Sequence, residues 1–132
     1  MKYPDTQLLI NGSWRDGALK RHSAVYDPAT ASVIGHHALA EPADLEEAVQ
    51  AAGSAFAPWR DAGAFARSGI LRRAGVLLRE RANLLAECIT TEMGKPLAEA
   101  RAEVMSSADL LDWFAGEVSA PMVRSSRRGR RT

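Results

Sequence analysis

The sequence predicts an α+β fold in which an N-terminal β-hairpin and short strands precede about four helices. Two observations support this class. Up to Ala40 the chain consists of short extended segments separated by turn signals, and beyond it apolar residues recur at helical spacing. A length of 132 residues allows one small domain at most.

Turn chemistry divides the N-terminal region into about three short strands. Leu8–Ile10 precede Asn11 and the glycine after it, which is the strongest short hairpin signal, and Trp14 begins the return strand. Residues 23–26 form a strand that ends at an Asp-Pro pair, because proline cannot donate to a ladder. Residues 32–40 are a further extended segment. Strands this short are marginal alone, so we expect them to need partners.

Apolar spacing and end signals predict the four helices. Asp44 is the predicted N-cap of the first helix, and Pro58 is expected to stop it. Gly94 suits the left-handed position after the third helix, and Pro96 suits the first turn of the fourth. The predicted helices cover residues 45–56, 64–81, 83–92 and 96–116.

The apolar stripes of these helices are suited to a larger protein than 132 residues provide. Leu111, Trp113 and Phe114 end the last helix with no apolar segment after them to cover it. We therefore expect a contiguous exposed apolar patch and self-association through it. The stripes concerned lie in residues 45–56, 70–78 and 97–115.

No side-chain pattern predicts a self-contained active site, so no catalytic residue is assigned. Cys88 lies on an apolar stripe with leucines, which favours a buried core thiol over a nucleophile. His36 and His37 are adjacent in an extended segment and are expected to point to opposite faces, so they cannot easily coordinate one metal ion together.

Lys95 is expected to lie in a link between helices. Neither of the usual glycine-rich phosphate motifs occurs, so no cofactor-binding residue is assigned. The acidic residues of the last helix are expected to form its solvated face: Glu99, Glu103, Asp109 and Asp112.

Cysteine usage and hydropathy favour a cytoplasmic protein. The single cysteine excludes an intrachain disulfide and is typical of a reducing compartment. No stretch approaches the ~18–20 apolar residues of a membrane span, and the N-terminus lacks a signal-peptide run. We expect no membrane partner.

Charge is distributed unevenly along the chain. Residues 118–132 carry five arginines and no acidic residue, which leaves 12 of the 17 Lys/Arg against all 16 Asp/Glu in residues 1–117. The body of the chain therefore gives no reason to expect a specific nucleic-acid partner.

Six segments resemble, in order, the start of the aldehyde dehydrogenase superfamily: LLINGSW, VYDPATASVIG, AAGSAFAPWR, RSGILRRAGVLLRER, TTEMGKPLAEARAEV and WFAGE. Each is weakly specific, but six in register over about residues 7–117 are strongly specific. EMGKPLAEA and WFAGE look most like the succinate-semialdehyde dehydrogenase branch, with 2-oxoglutarate-semialdehyde dehydrogenase as a neighbouring alternative. The resemblance implies that residues 1–117 are the N-terminal segment of a cofactor domain within a larger α/β fold.

The resemblance also implies a reaction, but the residues that catalyse it in the family are not found in this chain. The family oxidises a small aldehyde to a carboxylate with NAD or NADP through a cysteine thiolate, and its catalytic motifs lie downstream of the matched segments. Cys88 does not match the nucleophile motif, so this chain alone is expected to bind no cofactor and to be inactive. By position, Met105 is expected near the substrate tunnel. A monovalent cation is expected at Ala24, Val25 and Glu92, as in some family members.

Three interpretations of residues 118–132 stay open. Family members continue after WFAGE with a short basic stretch and Tyr-Gly, and a one-nucleotide frameshift would force a glycine where Met122 and Val123 are read here. The tail would then be disordered. Alternatively, the chain is a small helical module whose arginine-rich tail binds nucleic acid or another polyanion. A third interpretation is a regulatory fragment that assembles with full-length subunits.

Overall fold

The computed structural model describes residues 3–119, and the side chains of residues 3–117. It confirms short antiparallel strands followed by four helices, with four strands rather than about three. The predictions made for the arginine-rich tail, residues 118–132, lie outside the residues whose side chains are described. The elements are β1 Leu8–Ile10, β2 Ser13–Arg15, β3 His22–Tyr26, β4 Val33–Ala38, α1 Pro42–Asp61, α2 Ala64–Glu80, α3 Ala82–Met93 and α4 Leu97–Ser119.

The predicted hairpin is confirmed. β1 and β2 pair antiparallel, with Leu9 opposite Trp14. Asn11 and Gly12 connect them with φ angles of 49° and 76°. Two successive positive φ angles are typical of the turn that matches strand twist, and an Asn-Gly pair adopts it readily.

β3 and β4 form a second antiparallel pair, with Val25 opposite Gly35 and an irregularity in the pairing just after them. The segment before β1 adds to this pair: the Thr6 N–H donates to the His36 carbonyl, and the Ala38 N–H donates to the Thr6 carbonyl, each at 2.9 Å. The N-terminus thereby protects part of an otherwise open edge.

Both predicted ends of α1 are wrong. The N-cap is Glu41, and Asp44 instead lies in the first turn, where it accepts the Glu41 N–H at 2.8 Å. Pro58 lies inside the helix, which ends at Asp61. A proline this near the C-terminal end removes one backbone hydrogen bond, while the Ala62 N–H still closes the last turn on the Pro58 carbonyl at 3.0 Å.

The predicted start of α4 is also off by one residue, because Pro96 lies just before the helix rather than in its first turn.

Asp44 is the buried node that joins α1 to the segment after the hairpin. Arg15 donates to its Oδ1 at 2.8 Å, and the Ala18 N–H donates to its Oδ2 at 2.9 Å. Hydrogen bonds from the backbone of Ala18 and Glu41 lower the pKa of Asp44, and Arg15 lowers it further, against the opposing effect of burial. The ionised carboxylate is therefore the form that the fold stabilises.

We expect Asp44→Asn to lower the unfolding midpoint by about 5 °C or more at neutral pH, because charge-assisted bonds are lost. The folded pKa lies below the unfolded value of about 3.9, so the contribution is present above that pH and is lost as pH falls through the folded pKa. Thermal unfolding followed by circular dichroism across pH should show a shallower acid decline in the variant. Asp61→Asn, at an exposed pair with Arg60, is the control. Identical pH profiles for wild type and Asp44→Asn would contradict this role.

Small side chains form the helical core. α2 and α3 both pack on α4. The Ser68 hydroxyl donates to the Ala115 carbonyl at 2.8 Å, and a Cβ on Gly75 would lie 3.2 Å from the Ala108 carbonyl oxygen. Because small residues line both surfaces, the α2 and α4 backbones approach closely.

Burial is limited to these small residues and a few strand positions. Ala86, Ala100, Ala108 and Ala115 are fully buried, whereas Asp44 is the largest fully buried side chain within residues 3–117. The expected exposure of large apolar side chains is found on α1 and α4, for example at Leu45, Val49 and Leu110. On α2 the predicted stripe is mostly half-buried, and Ile70 is its one exposed member. No helix in the part of the chain that the structure describes is both long and apolar enough to cross a membrane.

Candidate functional site

Tyr3 joins the β3–β4 pair to the end of α3, where the predicted cation ligand Glu92 lies. A Cβ on Gly35 would lie 2.7 Å from Tyr3 Cδ1, so the ring packs directly on this glycine. The Tyr3 hydroxyl donates to Glu92 Oε2 at 2.7 Å. Gly35 pairs with Val25 across the sheet. Tyr3 thus links Glu92 to the strand pair that contains the other two predicted cation ligands.

The Tyr3 hydroxyl is a donor over the whole neutral range. Burial raises the pKa of Tyr3 to about 12, and the hydrogen bond and charge of Glu92 act in the same direction. The carboxylate of Glu92 keeps lone pairs that can accept a second donor or a cation. Residues 3 and 92 are far apart in sequence, so no local pattern signals this pair.

An electrostatic contribution from Cys88 to the raised pKa of Tyr3 indicates that this cysteine also lies near the pair. Its side chain is half-buried rather than fully buried, which corrects the prediction of a core thiol. Among the described residues, no hydrogen bond joins the thiol to a basic side chain. A nucleophilic cysteine requires such a base or a strong positive field.

His22 and His36 line a polar cleft of about 440 Å3 that the sequence did not predict. His22 Nε2 lies 3.3 Å from Asp16 Oδ1, and His36 Nδ1 lies 3.7 Å from Asp5 Oδ1. His36 is exposed and His37 half-buried, as expected for neighbours on a strand. No cluster of three or more His, Cys, Asp or Glu side chains in residues 3–117 is arranged to hold a metal ion.

The acidic residues of α4 lie mostly on an exposed face, as predicted, and three of them also form ion pairs with basic side chains. Arg79 of α2 contacts Asp109 at 2.6 Å and Asp112 at 2.8 Å. Lys95, in the predicted link between α3 and α4, pairs with Glu103. These pairs hold α2 and the α3–α4 link against α4.

An apolar groove of about 290 Å3 lies between α2 and α4, and we call it the α4 groove. Met105, predicted near a substrate tunnel, is half-buried on α4 but does not line the groove. The side chains that line the groove include no acid or base, and the one hydroxyl among them, that of Ser107, donates to the Glu103 carbonyl at 2.9 Å. The groove therefore suits mainly apolar contacts. The residues that line the groove are Leu78, Ser107, Leu110, Leu111 and Phe114.

Residues 14–129 match the aldehyde dehydrogenase family. The match extends past Glu117, where the resemblance had been predicted to end. Among characterised relatives, 4-(hydroxymethyl)benzenesulfonate dehydrogenase of Comamonas testosteroni is 40% identical over 115 residues. Glutarate-semialdehyde dehydrogenase of Pseudomonas putida is 40% identical over 122 residues. These alignments cover 87% and 89% of this chain but 24% and 25% of the relatives.

Solved structures agree with the fold. The NAD-dependent aldehyde dehydrogenase of Sinorhizobium meliloti superposes with a TM-score of 0.84 at 32% identity, covering 86% of this chain and 23% of that one. Succinate-semialdehyde dehydrogenase of Burkholderia pseudomallei gives a TM-score of 0.82 at 38% identity, covering 85% and 23%. The chain thus spans about a quarter of the length of the relatives it matches. The sequence match and the shared fold together place the chain in the aldehyde dehydrogenase family.

Proposed function

We propose that residues 1–117 form the N-terminal segment of the cofactor domain of an NAD(P)-dependent semialdehyde dehydrogenase. The segment supplies a frame for the domain, and the groups that react with the aldehyde lie elsewhere in such an enzyme. The observation that carries the proposal is the superposition on dehydrogenases over about a quarter of their length. The Sinorhizobium meliloti protein is described as NAD-dependent. We extend a nicotinamide cofactor, NAD or NADP, to the whole enzyme to which a segment like this one would belong.

The proposed substrate is an aldehyde that carries a second, anionic group. The relatives are named for succinate semialdehyde, glutarate semialdehyde and a benzenesulfonate alcohol, which all bear a carboxylate or sulfonate away from the reacting carbon. The succinate-semialdehyde branch remains our preferred member of this class. A cytoplasmic location is proposed with it, on the single cysteine of the chain.

This chain would contribute to the reaction only by framing the domain that binds the cofactor. NAD(P) would supply the acceptor for the hydride that leaves the aldehyde carbon once a cysteine of the larger enzyme has added to that carbon, and the acyl thioester left on the cysteine would then be hydrolysed. Cys88 is not proposed for that role, because it is half-buried and lacks a hydrogen-bonded base among residues 3–117. We therefore propose that the chain alone is inactive.

The cation site is retained as part of this proposal. Carbonyl oxygens of Ala24 and Val25 with the carboxylate of Glu92 would be hard oxygen ligands of the kind that alkali and alkaline-earth ions take. The Tyr3–Glu92 hydrogen bond supports it by holding Glu92 at the end of α3 that meets the sheet. Its test is whether potassium raises the unfolding midpoint of the wild-type chain more than that of Glu92→Gln.

A chimera tests the proposed function. Residues 7–117 would replace the matched segment of the Pseudomonas putida glutarate-semialdehyde dehydrogenase. We expect kcat/KM for anionic semialdehydes within about tenfold of the parent, because the catalytic groups are unchanged. Cys88→Ala in the chimera should leave kcat unaltered. A folded chimera that neither binds NAD(P) nor oxidises the semialdehyde would contradict the proposal.

A further inference from the structure

The tip of the β1–β2 hairpin combines an asparagine carboxamide with an unshielded glycine. Asn11 and Gly12 are both exposed, and both have positive φ angles, 49° and 76°. A Cβ added at Gly12 would meet no other atom within 4 Å, so no neighbouring segment covers this side of the turn. Because glycine has no side chain, nothing hinders an approach of its backbone nitrogen to the carboxamide carbon of the residue before it.

We propose that Asn11 is a site of spontaneous modification, at which deamidation through a cyclic imide gives both aspartate and isoaspartate. The backbone nitrogen of Gly12 loses its proton to solvent and adds to Cγ of Asn11. The carbon–nitrogen bond of the carboxamide then breaks, and ammonia leaves. Water adds to one of the two imide carbonyls and opens the ring. The sequence of steps consumes one water and releases one ammonia, and it requires no oxidant or reductant.

The hairpin is short enough to open locally, which closure of the imide ring requires. Ring closure rotates the backbone at Asn11 away from its left-handed conformation, so the reaction competes with the turn. Three residue pairs join β1 to β2, from Leu8–Arg15 to Ile10–Ser13. A two-stranded hairpin of this length is marginally stable by itself, and an exposed tip opens at a low cost in free energy. The reactive conformation is therefore accessible while the helices stay folded.

Asn83 provides an internal comparison, because it is the other asparagine of the chain. It is also exposed, but it lies in α3, where the helical backbone is held by hydrogen bonds. The residue after it is Leu84, whose side chain crowds the backbone nitrogen. Arg101 Nε donates to Asn83 Oδ1 at 3.2 Å and holds the carboxamide. We therefore expect the reaction at Asn11 and little reaction at Asn83.

The isoaspartyl product changes the length of the turn. Its main chain passes through the former side-chain carbonyl, which adds one carbon atom between residues 11 and 12. A two-residue loop fits the strand twist closely, so an added main-chain atom disturbs the pairing beside it. Ile10 adjoins the turn, is 7% exposed and lines a groove with alanines of α1. Isoaspartate should therefore loosen β1 from α1, whereas aspartate tolerates the left-handed region and should preserve the turn.

The test is ageing of the whole 132-residue chain in mildly alkaline buffer at physiological temperature, followed by mass spectrometry of its peptides. We expect the peptide with Asn11 to exchange its amide NH2 for OH at least about tenfold faster than the peptide with Asn83, because glycine leaves the attacking nitrogen unhindered. Fragmentation that distinguishes the two linkages should find aspartate and isoaspartate together. A rate at Asn11 no higher than at Asn83, or aspartate as the sole product, would overturn the proposal.

Two variants separate the linkage from the charge. Asn11→Gly removes the carboxamide and leaves a Gly-Gly pair, which two-residue hairpin loops also accept, so its hydrogen exchange should not change on ageing. In the isoaspartyl fraction of the aged wild-type chain, amides of β1 and β2 should exchange at least about tenfold faster than before ageing. Fresh Asn11→Asp carries the same charge with the normal linkage and should exchange like fresh wild type. Fast exchange in fresh Asn11→Asp, or unchanged exchange in the isoaspartyl fraction, would contradict the effect assigned to the linkage.

Discussion

Gly17→Ala is expected to lower the free energy of unfolding by about 3 kcal/mol or more, which is a large effect for one methyl group. Gly17 is buried after the hairpin, and a Cβ there would overlap the Leu39 carbonyl oxygen. Backbone atoms cannot yield as a flexible side chain can. The segment that carries the Ala18 N–H must move, and it would carry that donor away from Asp44.

Urea unfolding followed by circular dichroism measures this effect, and Gly53→Ala is the matched control. Gly53 lies inside α1, and a Cβ added there would meet no other atom within 4 Å. Alanine there should stabilise the chain by about 0.5–1 kcal/mol, because alanine has the higher helix propensity. Equal stability of Gly17→Ala and wild type would show that the segment after the hairpin does not fix α1.

Turn and cap residues predicted the hairpin and the end of α3 correctly, because both depend on only a few neighbouring residues. Asn11 and Gly12 fixed the hairpin, and Gly94, with φ of 73°, ends α3 where a left-handed residue was expected. Periodicity also predicted the α1 stripe, whose members Leu45 and Val49 stay exposed within the described part of the chain. These predictions need only the neighbouring residues in sequence.

Contacts between distant residues explain what the sequence did not predict. Asp44 was predicted as an N-cap because it precedes an apolar stripe, but its partner Arg15 lies in the hairpin and draws it into the first turn as a buried node. Tyr3 and Glu92 meet because the N-terminal segment runs alongside β4 and places Tyr3 next to the end of α3. The polar cleft likewise combines residues from separate strands. A single sequence gives no local signal for such pairs.

A second expected result concerns catalysis: the chain alone should show no dehydrogenase activity. We expect the purified 132-residue chain to produce no NADH or NADPH from succinate semialdehyde, with either cofactor present. Cys88, the single thiol, lies half-buried on α3, and no hydrogen bond joins it to a base among the described residues. Without such a base, we expect the thiol to be a poor nucleophile.

The central claim is that this chain frames a dehydrogenase without carrying its chemistry, and the absorbance of NAD(P)H tests it most directly. Wild type and Cys88→Ala would be assayed side by side with succinate semialdehyde, and the Pseudomonas putida glutarate-semialdehyde dehydrogenase would be the positive control. We expect a flat trace for both forms of the chain. Turnover by the wild-type chain that Cys88→Ala abolishes would contradict it, because Cys88 would then be a nucleophile within a complete active site.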